Sequence, residues 1–533
     1  MPLKSKLTIA SIFLIGLLGS LLIIYSTRWG PWVFSDSTGY IASARNLIAG
    51  HGLGLYGASG EFHPLTLHPP GFSLLLGFFG WIGIDLLTAA RWINVILFGL
   101  TISVVGLMIF YVTHSPWLAI ICSILILSMP DLVDIYSGAM SEPLFIFTGL
   151  LSISLVLWFL RNNRYPVLLA AAITVGLSII TRYAGFAFMI TGITGLLVLS
   201  SRTWKHRIID ILIYGSVGIL PVLGWQIWLN SQPGDDHLFQ LVTNLKEQLA
   251  NFRVSVMEIF WSWLPFTSLL PRYSYNQAKN YLIIALVFLL ILTSLTIWKL
   301  RKNNVKFIDS SHGLPFAGLL IVFAIAYLII LAFSYVYTLP TPDLIIRTLL
   351  PVHLAMLIGL FLLLYFIIRA WTSVKWLPLI PILLALGISL SYMHDSMDIA
   401  SQYHQIGAGY TDRYWRASET IRAIEQLPSN MTLISNESAA VLFYTNRPAY
   451  DTSELTGDKP RSFTRFGDDP TDPAQIEFRD NGAALVLFNT SLWQFKRLYA
   501  DQATKRMDYF TRGLYLYAQL EDGAIYFYNS IGN

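Results

Sequence analysis

Asp36, Asp131, Asp134, Glu142, Arg182, Asp343 and Arg347 stand at or near the ends of long apolar runs, in a chain whose side chains are only 12% charged. Charge at the edge of an apolar slab is costly and tends to line a polar cavity. Carboxylates gathered with guanidinium groups can do two things: take a proton from a hydroxyl, and grip an anion through two parallel hydrogen bonds. Some of these residues can equally mark span ends, with arginines reaching back to water. The stretch "FSDSTGYIASARNLIAGHGLG" begins at Phe34 and carries Asp36, Arg45 and His51. Its apolar positions Tyr40, Ile41, Ala44, Leu47 and Ile48 follow helical spacing, so a short amphipathic helix over 38–49 is expected on the membrane surface, ended by Gly50 and Gly52. Asp36 then falls at or just before the first turn, where it can cap backbone N–H groups. Ser35 and Ser37 can cap as well, so helix formation alone does not demand an acid. Pro69-Pro70-Gly71 breaks the chain before the next apolar run and should hold His68 rigidly near the surface. The irregular spacing of His51, His63 and His68 favours hydrogen-bonded histidines over a metal cluster.

The elements that must position these groups are membrane spans. The chain has 533 residues, 55% of them hydrophobic, and a mean hydropathy of +0.57. Ordinary soluble domains are roughly 25% charged. A net charge of +4, with Lys and Arg sorted by loop, gives no footing for nucleic acid, and the single cysteine, Cys122, rules out an internal disulfide. Apolar runs recur near 7–25, 89–111, 116–130, 142–160, 166–180, 185–200, 208–229, 281–298, 315–336, 346–367 and 377–393, about eleven spans, the first an uncleaved signal anchor. Basic connections, "RNNRYP", "SRTWKHR", "WKLRKNNVK" and "RAWTSVK", follow spans whose far ends should be cytoplasmic, together with Lys4 and Lys6. This puts the N-terminus inside and the tail outside, and gathers the acids and arginines named above on the outer face.

After about residue 391 the composition becomes that of a soluble domain. "DRYWRASETIRAIEQL" reads as an amphipathic helix, "MTLIS" as a strand, "ESAAVLFYT" as a helix, "AALVLFN" as a buried strand, and "LYLYAQLEDGAIYFYN" as a hairpin about Asp522-Gly523. The expected organisation is mainly α: a polytopic membrane domain over 1–393 with a first outer loop over 26–88, then a small extracytoplasmic α/β domain over 394–533. Asn430, Asn436 and Asn489 sit in N-x-Ser/Thr triplets, which carry meaning only in a glycosylating compartment.

The Asp followed by "GYIASARNLIAGHGLG" resembles a first-loop motif of membrane glycosyltransferases with the GT-C fold, the superfamily of protein O-mannosyltransferases and aminoarabinose transferases. "HPPGFSLLLG", "SEPLFIFTGLL", "TRYAGFAF" and "RTLLPVHLAM" are similar to further stretches of that family, in the same order, across about the first 390 residues. The resemblance implies a polyprenyl-phosphate-linked sugar (dolichyl- or undecaprenyl-phosphate) as donor, held by its lipid in the membrane, and a glycan, lipid or protein acceptor at the outer face. It implies inverting transfer with Asp36 as general base, Arg182, Arg347 and Arg91 on the donor phosphate, and Tyr40, Arg45, His51, His68, Asp134 and Glu142 around the substrates. Ser37 stands where many relatives carry a second acid, and no Lys occurs between Lys6 and Lys205. A divalent metal is therefore not expected, though not excluded, and no other cofactor is implied. The rival readings are a lipid or solute transporter, which would explain many spans without chemistry, and a non-catalytic scaffold in which Asp36 only caps a helix.

Overall fold

The computed structural model describes residues 3–66, 68–232, 245–263, 314–337, 344–371, 379–452 and 465–529, with residues 294 and 377. Asp343 and the expected span near 281–298, apart from residue 294, lie outside them, as does the first half of the charged stretch "GDKPRSFTRFGDDPTD". Seven described helices are long and apolar enough to cross a membrane: Leu3–Ser26, Leu86–Thr113, Glu142–Asn162, Trp204–Asn230, Leu314–Tyr337, Ile346–Trp371 and Leu379–Ile406. The chain is an integral membrane protein. Each of the seven coincides with an apolar run in the sequence. The other expected spans take different forms, which corrects the count of about eleven among the described residues. Pro116–Leu127 and Pro130–Tyr136 form one bent pair, kinked by 59°, so the described residues hold seven or eight spans. The bend falls where Pro130 begins the second helix, because proline cannot donate the bond that would continue the first. The runs near 166–180 and 185–200 are the shorter helices Tyr165–Thr181 and Phe186–Val198, separated by the extended residue Arg182 and a single 3-10 turn.

The chain divides into two compact units. The first comprises 1–28, 66–72 and 90–405. Within it, packing relies on small residues, since lipid tails supply no hydrophobic drive between helices. A side chain at Gly16 would stand 2.6 Å from the Gly99 carbonyl, and one at Gly99 would stand 2.8 Å from the Gly16 carbonyl. The two backbones touch there, and Ser20 adds a hydrogen bond to the Val95 carbonyl at 2.8 Å. Residues that pack inward on the first helix, such as Ile12 and Ile23, are fully buried, whereas Leu14, Leu17, Leu18 and Leu21 are exposed. An exposed leucine face on a helix of this hydropathy is the face lipid covers.

The second unit comprises 29–65, 73–89 and 406–533. The last long helix runs past residue 393 to Ile406. The tail is a five-stranded sheet in the order β4(Ala449–Asp451), β3(Leu433–Ser435), β5(Ala484–Phe488), β7(Gly523–Phe527), β6(Tyr515–Gln519). β4, β3 and β5 are parallel, while β7 and β6 form the antiparallel hairpin expected about Asp522-Gly523. β5 is buried along its whole length, with Leu485 and Leu487 on one face and Val486 and Phe488 on the other. "DRYWRASETIRAIEQL" is two helices, Arg413–Ala417 and Glu419–Gln426, where one was expected. Ser418 divides them, because its hydroxyl accepts from the Ile421 N–H at 3.0 Å and caps the second helix. Asn436 is 3% exposed; its amide donates to Thr490 and Gln494 and its carbonyl accepts from the Phe488 N–H, so this triplet is part of the sheet's support.

The first outer loop contributes the helix Ser35–Ile48 and a small antiparallel pair, β1(Gly54–Tyr56) with β2(Phe62–Pro64). The helix begins three residues earlier than its apolar spacing indicates, so Asp36 lies inside the first turn. Phe34 occupies the N-cap position and has no polar side chain with which to cap the helix.

Candidate functional site

In the first unit, two arginines from remote stretches meet the short segment Met140-Ser141-Glu142. Pro143 starts the helix Glu142–Asn162, since its missing N–H is one that no helix start uses. That puts Glu142 in the first turn, where a carboxylate is favoured by the helix dipole. The Glu142 side chain is 3% exposed, and its Oε1 lies 3.0 Å from Arg182 Nη1. The same nitrogen donates to Ser141 Oγ at 3.1 Å. Arg182 reaches this position because the helix Tyr165–Thr181 stops at it: the residue is extended, at φ −149° and ψ 132°. Arg347 comes from the first turn of Ile346–Trp371, and its Nη1 lies 3.8 Å from Met140 Sδ. Two guanidinium groups from remote stretches thus meet consecutive residues. Tyr327 secures the second of them by donating to the Thr348 carbonyl at 2.7 Å. The Pro69-Pro70-Gly71 entry packs here too, since a side chain at Gly71 would stand 2.7 Å from the Ile180 carbonyl.

Asp131 and Asp134 share the short helix Pro130–Tyr136. Asp131 pairs with His353 at 3.3 Å, and the imidazole lies flat on Trp263, with ring centroids 4.3 Å apart and planes 8° apart. Asp134 accepts from the Tyr403 hydroxyl at 2.7 Å. His353, Tyr403 and Ser141 were not singled out in the sequence, although His353 stands in "RTLLPVHLAM" and is one of few polar residues in that run. Arg91 is used elsewhere: its Nε donates to Thr27 Oγ1 at 3.0 Å and its Nη2 to the Ile24 carbonyl at 3.2 Å, closing the C-terminal end of the helix Leu3–Ser26. His68 is half-buried within the first unit. Among the described residues, no group of three His, Cys, Asp or Glu side chains is placed to hold a metal ion.

Asp36, Tyr40, Arg45 and His51 belong to the second unit. Tyr40 is buried in the packing of its helix, and His51 meets Tyr56 edge to face at 5.6 Å. Arg45 donates to the Phe443 carbonyl at 3.2 Å, which ties the loop helix to the tail helix Ser438–Thr445. Burial lowers the Arg45 pKa, and Asp85 opposes that effect. At the start of the same tail helix, Glu437 accepts from Thr490 at 2.7 Å and from Tyr410 at 3.1 Å, while Ser438 donates to Asp451 at 2.6 Å. Burial raises the pKa of Glu437 and of Asp451 above the ordinary carboxylate range.

The ion pair predicts an asymmetric mutational response. Arg182→Ala leaves Glu142 buried without its counter-charge and should cost about 3–5 kcal/mol, whereas Arg182→Met with Glu142→Leu should recover most of that loss. Unfolding in detergent measures both, and equal losses would contradict the pairing. The raised carboxyl groups predict a pH dependence for the second unit. Folded Glu437 and Asp451 keep protons that the unfolded chain has lost, so stability should fall as pH rises from the ordinary carboxylate range through the raised folded values. Glu437→Gln should flatten that slope in unfolding curves taken from pH 4.5 to 7; an unchanged slope would contradict the assignment.

No family model matches this chain, and no curated protein sequence matches it. Solved structures do. ArnT from Cupriavidus metallidurans in the apo state is similar over 96% of this chain and 97% of its own, at 13% identity and a TM-score of 0.51. The same protein bound to undecaprenyl phosphate gives 14% identity and a TM-score of 0.49, over 97% of this chain and 98% of its own. The oligosaccharyltransferase AglB from Archaeoglobus fulgidus, in complex with an inhibitory peptide and a dolichol-phosphate, is similar over 100% of this chain and 75% of its own, at 13% identity and a TM-score of 0.50. At this identity the likeness establishes architecture: the chain has the GT-C fold of membrane glycosyltransferases, carried on apolar helices and closed by a small α/β tail.

Proposed function

We propose that this protein is an inverting membrane glycosyltransferase that moves a sugar from a polyprenyl-phosphate donor to an acceptor at the outer face of the inner or plasma membrane. The observation that carries the reading is the convergence of Arg182 and Arg347 on Met140 and Ser141. Paired guanidinium groups suit a lipid phosphate, because each offers a planar fork of donors to its oxygens. The fold shared with AglB, whose structure contains a dolichol-phosphate, supports the same donor class. The positive-inside pattern supports a cytoplasmic N-terminus and an extracytoplasmic tail.

In the proposed reaction the acceptor hydroxyl oxygen attacks the anomeric carbon. The bond from that carbon to the phosphate oxygen breaks, its electron pair stays on the phosphate, and Asp36 takes the hydroxyl proton. Attack opposite the leaving group inverts the anomeric centre. Phosphate leaves readily without a strong acid, so the protein's tasks are to hold the phosphate, orient the acceptor and accept one proton. Arg182 and Arg347 hold the charge that grows on the leaving group. Glu142 keeps Arg182 in place. Arg91 is committed to the end of the first helix, so we leave it out of the phosphate site.

Asp36→Asn is the test. The substitution preserves the shape of the side chain and removes its charge, and unfolding in detergent separates any cost to folding from the loss of transfer. Transfer should fall roughly 10²- to 10⁴-fold with binding of the donor lipid retained. Mass spectrometry of envelope glycans and lipids, from cells with the wild-type protein, with Asp36→Asn and with neither, identifies the product that disappears. Full transfer by Asp36→Asn would overturn the role of this residue. Lipid translocation with no glycosylated product in any strain would favour a transporter.

A further inference from the structure

Within the second unit, the residues that lead into the helix Ser35–Ile48 are held by the opening residues of the tail. Three alternate carbonyls accept bonds from it. The Trp29 carbonyl accepts from Arg416 Nη2, the Pro31 carbonyl from the Thr411 hydroxyl at 2.9 Å, and the Val33 carbonyl from the Tyr410 N–H at 2.8 Å. Val33 also pairs with Gly409 in an isolated parallel bridge. Gly409 stands at φ +59°, and a side chain there would run into the Val33 carbonyl, so the close approach requires glycine. This short strap is fixed in turn to the rest of the tail. Tyr410 Oη donates to Glu437 at 3.1 Å, Tyr444 Oη donates to the Tyr410 carbonyl at 2.6 Å, and Arg416 Nε donates to the Thr411 carbonyl at 2.8 Å.

The series of bonds ends where the candidate base begins. Tyr410 fixes both sides of the Val33–Phe34 peptide, with its N–H on the Val33 carbonyl and its ring edge against Phe34 at 6.0 Å. The Phe34 carbonyl accepts from the Thr38 N–H at 2.9 Å and opens the helix, with Asp36 in its first turn. A shift in the residues before Phe34 therefore carries Asp36 with it, and misplacing a reacting group by about 1 Å can cost ~10²-fold in rate. Thr411 controls the point in this series with the least freedom. The proline ring fixes φ at Pro31, so the orientation of its carbonyl is the soft angle left at that residue, and the Thr411 hydroxyl holds it. The hydroxyl is 1% exposed and shares its proton with the Ala408 carbonyl at 3.0 Å, so it ties the loop to the strap away from water.

We propose that Thr411 is a positioning residue for the transfer reaction: by holding the Pro31 carbonyl it sets the course of the chain into the helix Ser35–Ile48, and so the place of Asp36 against the acceptor hydroxyl. The proposal rests on the reading of Asp36 as general base and gives the tail a part in the reaction separate from holding the donor. The test compares cells that carry equal amounts of the full chain as wild type, Thr411→Val, Thr411→Ser, Arg416→Gln or Asp36→Asn. Mass spectrometry of the envelope measures the glycosylated product that cells lacking the protein do not make, and farnesyl phosphate binding to each chain in nanodiscs reads the phosphate site. Thr411→Val, which keeps the shape and removes the hydroxyl, should lower the product about tenfold with farnesyl phosphate affinity unchanged. Thr411→Ser keeps the hydroxyl and should keep the product. Hydrogen exchange at the amides of residues 34–38 should quicken in Thr411→Val and stay as in wild type in Thr411→Ser. Where Thr411→Val folds poorly, Arg416→Gln decides, because that side chain is exposed and its loss releases the Trp29 and Thr411 carbonyls; the product should then fall about threefold. Full product from Thr411→Val, or from Arg416→Gln where it decides, would overturn the proposal. So would equal losses in Thr411→Val and Thr411→Ser, or weaker farnesyl phosphate binding by a folded Thr411→Val, since either marks a general defect. Full product from Asp36→Asn would instead sink the reading beneath it.

Discussion

A guanidinium drawn toward an apolar slab needs a carboxylate close by, and in this chain Glu142 meets that need for Arg182 at 3.0 Å. The pair is costly to bury and costly to break. Much of the surrounding architecture serves it. Pro143 sets the helix start that presents Glu142, the break after Thr181 frees Arg182 from its helix, and Ser141 takes a second bond from the same guanidinium. Arg347 joins through Met140, so the two cations are indexed to one another by adjacent backbone positions. Side chains that act on one substrate must be held within fractions of an ångström, and short rigid segments do this better than long loops.

The second unit shows a comparable economy. The loop helix that carries Asp36 is bound to the tail through Arg45 and Phe443, and the tail helix starts beside Glu437 and Asp451. A soluble-looking tail thereby becomes part of the surroundings of a first-loop residue. This explains why the chain has such a domain better than an independent binding module would, since such a module would need no bond to the loop helix.

Long helices were readable from hydropathy alone because a bilayer requires about 20 apolar residues whatever their neighbours are. All seven full-length spans among the described residues stand where apolar runs predict them. The shorter runs were harder, for a run near 116–130 does not reveal that Pro130 begins a second helix at 59° to the first. In the tail, the period-2 pattern about Asp522-Gly523 exposed its hairpin, whereas three-residue β4 is too short to carry a pattern. The helix of residues 413–426 read as continuous because its apolar spacing continues through Ser418, whose capping bond breaks it. Asp36, Glu142, Arg182 and Arg347 drew attention as charges in a chain poor in charge. Their partners did not. The bond from Tyr403 to Asp134 joins residues 269 apart, and that from Arg45 to Phe443 residues 398 apart. Such pairings follow from packing, and no local spacing encodes them. Arg91, which the family resemblance implies for the phosphate, donates to the carbonyl end of the first helix, a partner that local spacing likewise does not encode.

The claim on which this account turns is that Arg182 and Arg347 together hold a lipid phosphate. Equilibrium binding of farnesyl phosphate to the full chain in nanodiscs, wild type against Arg347→Lys, tests it most directly. Lysine keeps the charge and loses the planar fork, so a phosphate site built on guanidinium geometry should lose about tenfold in affinity. Equal affinity in the two proteins would contradict the account.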